Sequence, residues 1–187
     1  PDLDFEMIWR TWGKITGMMG GYFIPNSIRS VSKVIFRRLV KNVPMLHDLV
    51  MPVSLKAYMR ALALQDGVIN RFELFMKDYD AFLCPVTLTP PFRHQEPDLR
   101  LIVFNIYRKP VRYQGKEYNY YMNTQSQTTP FNLMETPVLS MPLGINSQGL
   151  PVGIQVVGKR FTDFQLLKTA KLLAQYTSRF SYPCEKK

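Results

Sequence analysis

Cysteine and histidine are scarce in this chain, with two of each in 187 residues. Cys84 and Cys184 lie far apart, which argues against a disulfide framework or a paired metal-ligand motif and favours a reducing compartment. His47 and His94 have no partners at ligand spacing, so no metal is expected. There is no phosphate-binding glycine loop and no strand leading into G-x-G-x-x-G, so no nucleotide cofactor is expected either. Long apolar runs are also lacking, and none approaches the ~20 residues needed to span a bilayer. The opening Pro1-Asp2-Leu3-Asp4-Phe5-Glu6 is acidic where a secretory signal is basic, so a cytoplasmic location is expected. Acids are few: 14 against 24 Lys and Arg, for a net charge of +10. Such an excess points to nucleic acid, an anionic membrane surface or an acidic partner chain. No RNP-like, zinc-finger or helix-turn-helix pattern accompanies the charge, so nucleic acid ranks last.

What is present reads as globular, with 46% hydrophobic and 13% aromatic residues. The chain is long enough for one domain with a sizeable core, and residues 1–187 show no internal boundary. It begins without methionine, which suggests a processed product or a piece of a longer chain. Trp9, Trp12, Met18 and Met19 open it, and Gly17, Gly20 and Gly21 are expected to interrupt any long helix there. Asn26 or Ser27 can cap a helix to about residue 42. Its apolar face is Ile28, Val31, Ile35 and Leu39. Its basic face is Arg29, Lys33, Arg37 and Lys41, whose mutual repulsion of a few tenths of a kcal/mol per pair wants an anionic counterpart. Peripheral membrane contact would supply one. So would solvent or acids elsewhere in a parent protein.

Ser54 precedes a long helix to about Tyr79, on which Tyr58, Leu62, Gln65, Ile69, Phe72 and Met76 keep the 3.6-residue period. Residues 81–84 read as a short buried strand, stopped by Pro85, Pro90 and Pro91. Gln114-Gly115 sits between two short runs as a hairpin turn. Two strands follow at 138–143 and 152–157, joined by a turn at Asn146-Ser147-Gln148-Gly149, with Pro142 marking an edge or bulge. The second is apolar enough for a sheet covered on both faces. In the final helix, Thr162 with Gln165 fits a capping box and Phe161 with Leu166 a hydrophobic staple.

Candidate nucleophiles fare poorly. Ser30, Ser32 and Lys33 are the right types for a Ser-Ser-Lys mechanism, but positions two apart on a helix do not face each other. Cys84 and His94 could pair as thiol and base, yet a thiol in an apolar strand is usually inert.

Residues 131–158, FNLMETPVLSMPLGINSQGLPVGIQVVG, change the reading. Asn132-Leu133, Pro137, Pro142-Leu143-Gly144 and the string Gly149-Leu150-Pro151-Val152-Gly153-Ile154-Gln155 resemble the C-terminal core of the amidase-signature family. Its members read N-L-x-G-x-P, P-x-G and G-L-P-V-G-x-Q in that order. Upstream, Asp80-Ala81-Phe82-Leu83-Cys84-Pro85-Val86 is similar to the family's aspartate, apolar strand and proline segment, and the match extends over roughly residues 57–180. Glu135 departs from the usual glycine and looks more like the fatty-acid-amide-hydrolase branch.

The resemblance implies an α/β fold, the C-terminal part of an α/β/α sandwich around a large mixed sheet. It implies hydrolysis of a carboxylic amide by a Ser–cis-Ser–Lys triad, with no cofactor and no metal. No Gly-Ser-Ser-Gly-like string lies between Pro1 and Lys187, so none of the three catalytic residues is assigned to this chain. It reads instead as a single incomplete domain that supplies sheet, terminal helix and pocket wall to an N-terminal catalytic portion. Related enzymes line their channel with the stretch before the N-L-x-G-like motif. Met122, Gln125 and Thr129 share a face there if residues 121–129 are helical, and Thr87 follows the strand at 82–85. These four are the expected substrate-binding residues. The expected partners are the N-terminal portion, a small or fatty amide, and an anionic membrane through the basic face; a homodimer is left open. A non-catalytic interaction module derived from the same fold is the alternative.

Overall fold

The structure is a computed structural model describing residues 1–21, 43–100 and 105–177. Helix α1 (Phe5–Gly21) is followed by α2 (Pro44–Val50) and α3 (Leu55–Met76), and then by β1 (Phe82–Pro85). Two ribbons come next: β2 (Leu99–Arg100) with β3 (Asn105–Ile106), and β4 (Val111–Tyr113) with β5 (Lys116–Tyr118). Short helices α4 (Tyr120–Gln125) and α5 (Thr129–Leu133) lead to β6 (Val138–Ile145), β7 (Pro151–Val157) and α6 (Asp163–Leu173). The proposed basic helix at 26–42, with Arg29, Lys33, Arg37 and Lys41, lies outside the described residues.

The main sheet has the order β1-β7-β6, all antiparallel. Side chains alternate across it, so its two faces meet different helices. On one face Phe82, Cys84 and Val157 pack with Ile8 of α1, Val68, Ile69, Phe72 and Met76 of α3, and Phe131 and Leu133 of α5. The aromatic rings of Phe72, Phe75, Phe82 and Phe131 lie 6.0–6.2 Å apart in tilted and edge-on pairs, the geometry their quadrupoles favour. On the other face Leu139, Met141, Ile154 and Val156 meet Leu166 and Leu173 of α6. Helices therefore cover both faces, as in an α/β/α sandwich. Pro142 falls at an irregularity in the β6 register before Gly144, on the sheet edge where a missing N–H is tolerated.

Ser54 caps α3 by accepting from the Ala57 N–H at 3.2 Å, and the buried stripe is Ala61, Val68, Ile69, Phe72 and Met76. The hairpin turn places both Gln114 (φ 48°) and Gly115 (φ 74°) in the left-handed region, as a tight primed turn requires. Asn146 Oδ1 accepts from the Gln148 and Leu150 N–H groups at 2.9 Å each, closing the β6–β7 turn.

Several expectations need correction. The glycines do not interrupt α1, which runs unbroken for 17 residues. Two of its glycines, Gly13 and Gly17, give it a flat side instead. A Cβ on Gly13 would lie 2.5 Å from the Met45 carbonyl oxygen of α2, and one on Gly17 would lie 2.8 Å from those of Asp48 and Leu49. Pro85 is itself the last residue of β1, paired with Ile154, and the strand is less buried than expected, with Leu83 exposed. The first half of β7 is open to solvent at Pro151 and Gly153, so full two-sided cover begins at Gln155. Neither the capping box nor the staple forms at α6. Thr162 Oγ1 donates to the Lys159 carbonyl at 2.7 Å, and Phe161, at φ 61°, turns outward beneath the Arg160 guanidinium.

Candidate active-site groove

Past Pro85 the chain leaves the sheet and forms a proline-rich loop, Pro85–Pro91. Its polar groups are satisfied locally: Thr87 Oγ1 donates to the Thr89 carbonyl at 2.7 Å, and Thr89 Oγ1 to that of Pro90 at 3.1 Å. The Leu88 N–H donates to the Asn123 carbonyl at 3.1 Å, tying the loop to α4. This loop, Tyr113 of the hairpin and Pro151-Val152-Gly153 of β7 enclose an open groove of about 450 Å³. A neighbouring groove of about 600 Å³ shares Thr89–Phe92 and Tyr113 and continues to Arg93, Arg112, Gln148 and Leu150. Its walls are mainly apolar, with a cationic rim partly neutralised where Arg112 donates to Glu117 at 2.8 Å. Phe92 packs edge-on against Tyr120 at 6.0 Å, and Tyr120 stacks on Tyr107 at 4.2 Å. Burial raises the phenol pKa of Tyr120 and Tyr121, so both stay protonated at neutral pH.

Of the four expected substrate-contacting residues, Thr87 lines the first groove. The other three are arranged differently from expectation, because 121–129 is not one helix. Asn119 caps α4 by accepting from the Tyr121 and Met122 N–H groups, and α4 ends at Gln125. A new helix starts at Thr129, with Pro130 in its first turn, where a proline N–H is not needed. Met122 packs on the cluster of Val43, Met45 and Leu46. Thr129 is 2% exposed, and its Oγ1 reaches Met45 Sδ at 3.8 Å. These two residues are thus brought together against α2 and line neither groove. Gln125 is half-buried, with its carbonyl accepting from the Thr128 N–H at 3.2 Å.

The cysteine and histidines considered as nucleophile, base or metal ligand are placed as follows. Burial pushes the Cys84 thiol up to about 11 against a smaller pull from its hydrogen bond with Gln155, so it is protonated at neutral pH. His94 sits on an exposed loop. His47 Nδ1 lies 3.2 Å from Asp48 Oδ1. Among the described residues no group of three or more His, Cys, Asp or Glu is placed to hold a metal ion. Ser30, Ser32 and Lys33 lie outside the described residues.

Two features were missed. Gln155, 2% exposed in the central strand, donates from Nε2 to the carbonyls of Pro85 at 2.8 Å and Gln127 at 3.1 Å, and contacts Cys84 Sγ at 3.4 Å. A lone carboxamide between Ile154 and Val156 was the signal, since a buried amide needs partners. Glu135 adopts φ 53°, the left-handed conformation in which glycine is at ease. The Thr136 N–H donates back to the Phe131 carbonyl at 3.2 Å, closing the end of α5. That is the structural reason for a glycine at this place in the resembling sequences.

The family model described as Amidase matches residues 23–167. The chain belongs to the amidase family. It is 31% identical over 125 residues to a glutamyl-tRNA(Gln) amidotransferase subunit of Allorhizobium ampelinum, covering 66% of this chain and 22% of that protein. It is 32% identical over 120 residues to the same-named protein of Levilactobacillus brevis, covering 64% and 21%. The chain thus spans about a fifth of the length of the curated relatives it matches. A solved bacterial aryl acylamidase of the amidase-signature family shares the fold, with TM-score 0.58, 13% identity, and 93% of this chain and 34% of that one covered. So does another amidase structure, with TM-score 0.52, 22% identity, and 80% and 33% covered. In this amidase-family chain the strand 82–85 pairs antiparallel with residues 154–157, so the Gly149–Gln155 string meets it at Ile154 and Gln155.

Proposed function

We propose that this chain is the C-terminal part of an amide-cleaving enzyme and supplies sheet, terminal helix and one wall of the substrate pocket. The observation that carries the reading is that the two segments bearing the family pattern, at Pro85-Val86-Thr87 and Pro151-Val152-Gly153, meet in one groove. Loops leaving strand ends commonly border ligand clefts in α/β proteins. The Ser–cis-Ser–Lys triad is supplied from outside these 187 residues, which contain no Gly/Ser-rich segment to hold it. In that mechanism a neutral lysine draws a proton through the bridging serine from the nucleophilic serine. The nucleophile's oxygen attacks the amide carbonyl, and the amine leaves with the proton returned to it. Backbone N–H groups hold the transient oxyanion. Met122, Gln125 and Thr129 act in this reading from behind the wall, and Thr87 on its surface.

The partner is the N-terminal portion of the same enzyme, and the substrate a small or fatty linear amide. The apolar lining of the groove suits an acyl chain. Contact with an anionic membrane through the Arg29, Lys33, Arg37 and Lys41 face, and a homodimer, complete the proposal. No helix among the described residues is long and apolar enough to cross a membrane. Relatives named as amidotransferase subunits favour a second reading, in which glutamine is the amide cleaved and its ammonia is passed on.

The deciding experiment treats the full-length protein with a fluorophosphonate probe and maps the label. A labelled serine in a Gly/Ser-rich segment outside residues 1–187 is expected. No label on any serine overturns the reading in favour of a non-catalytic interaction module. Ammonia release from glutamine, compared with amine release from acyl anilides, separates the two substrate classes.

A further inference from the structure

Gln155 stands on the sheet face where Phe82, Cys84 and Val157 enter the main core. A leucine or methionine of similar volume would pack there, and an unpaired carboxamide would be costly. Its hydrogen bonds are therefore what distinguish it. The β1–β7 ladder ends at the Pro85–Ile154 pair, and beyond it the groove loop has lost the support of the sheet. Gln127 lies in the turn between α4 and α5, outside any regular element. One nitrogen atom spans the two, at 2.8 Å to the Pro85 carbonyl and 3.1 Å to that of Gln127. A second link, Leu88 N–H to the Asn123 carbonyl, joins the same loop to α4.

We infer that Gln155 is a positioning residue: by bridging Pro85 and Gln127 it sets how far the groove loop stands from the α4–α5 segment, and hence the width of the pocket wall. The inference rests on the functional reading above, in which that wall borders the substrate. A neutral carboxamide suits the role because its NH2 carries two donors. A carboxylate at the same place would face two carbonyl oxygens with nothing to donate, and an apolar side chain would keep the packing and drop both ties.

The test compares Gln155→Met and Gln155→Asn in the full-length protein, using two fluorophosphonates, one with a short ethoxy group and one with a long alkyl chain. Both variants are expected to react with the short probe at the wild-type rate, because the nucleophile is untouched. With the long-chain probe Gln155→Met is expected to slow on the order of ten-fold, as misplaced walls do. Gln155→Asn, one methylene shorter and able to hold one carbonyl, falls between. Amide exchange at Leu88 is expected to quicken in Gln155→Met. Equal rates for the two probes in a folded variant overturn the inference while leaving the functional reading standing. Loss of folding in both variants also overturns it, since Gln155 would then be a stability residue. A wild-type protein that neither probe labels overturns the functional reading itself.

Discussion

At Glu135 the backbone and the side chain pull in opposite directions. A left-handed conformation costs a residue with a Cβ about 1 kcal/mol relative to glycine. The carboxylate offsets this by accepting from Arg160 Nη2 at 2.6 Å and from Gln65 Nε2 at 3.3 Å, two residues from different parts of the chain. Partly exposed pairs of this kind contribute about 0.2–1 kcal/mol. Glu135→Ala keeps the backbone cost and loses the partners, so it is expected to destabilise by about 1 kcal/mol. Glu135→Gly loses the partners but also the backbone cost, and is expected to stay close to wild type. Urea denaturation midpoints give the ranking, and an alanine variant as stable as the glycine variant would sink this account. The same residue shows what could be read in advance. Its departure from the family's glycine was visible, and the bond to Arg160, 25 positions away, was not. Gln155 is similar: its burial followed from its apolar neighbours, but its acceptors lie 28 and 70 positions away.

Most elements decided by local chemistry were legible, although the local cap read at Thr162 did not form, and several were misread where packing between elements decided. Ser54 ahead of α3, the Gln114-Gly115 turn and the Asn146 turn all formed as their residue types demand. The α1 glycines did not behave as breakers, because a glycine in a helix costs about 1 kcal/mol and a close approach to a second helix can return it. Gly13 and Gly17 make that approach, and Gly20 has nothing within 4 Å of a would-be Cβ. Gly13→Ala drives its methyl into the backbone of α2 and is expected to destabilise by about 1–3 kcal/mol. Gly20→Ala meets open space and is expected to stabilise by about 0.5–1 kcal/mol. Opposite signs in thermal melts separate a contact role from simple helix propensity; the same sign for both would refute it. Likewise the four expected wall residues divided along packing lines. Thr87 reached the groove by following a strand end, while Met122 and Thr129 were drawn to Met45 of α2, whose position no local pattern announces.

At the scale of the whole molecule, the described surface leaves large apolar side chains uncovered. Phe161, just before α6, and Phe164, within it, are 85% and 83% exposed, and Ile145 is 68% exposed at the end of edge strand β6. Scattered singly these would be ordinary, but β6 is also an open sheet edge among the described residues, where unpaired strand groups invite another chain. The net charge of +10 opposes association through mutual repulsion, which is screened beyond about 10 Å at 0.1 M salt. Residues 1–187 produced alone are therefore expected to self-associate, and to do so more strongly as salt rises, because screening removes the repulsion while the apolar surface remains. Light scattering across a salt series follows this. If the proposed N-terminal portion covers this edge and apolar surface, co-expression with it is expected to give a single monodisperse species that is insensitive to salt. A monodisperse monomer of the isolated chain at 1 M salt would mean that this surface needs no cover, and would favour a self-sufficient interaction module over part of an enzyme.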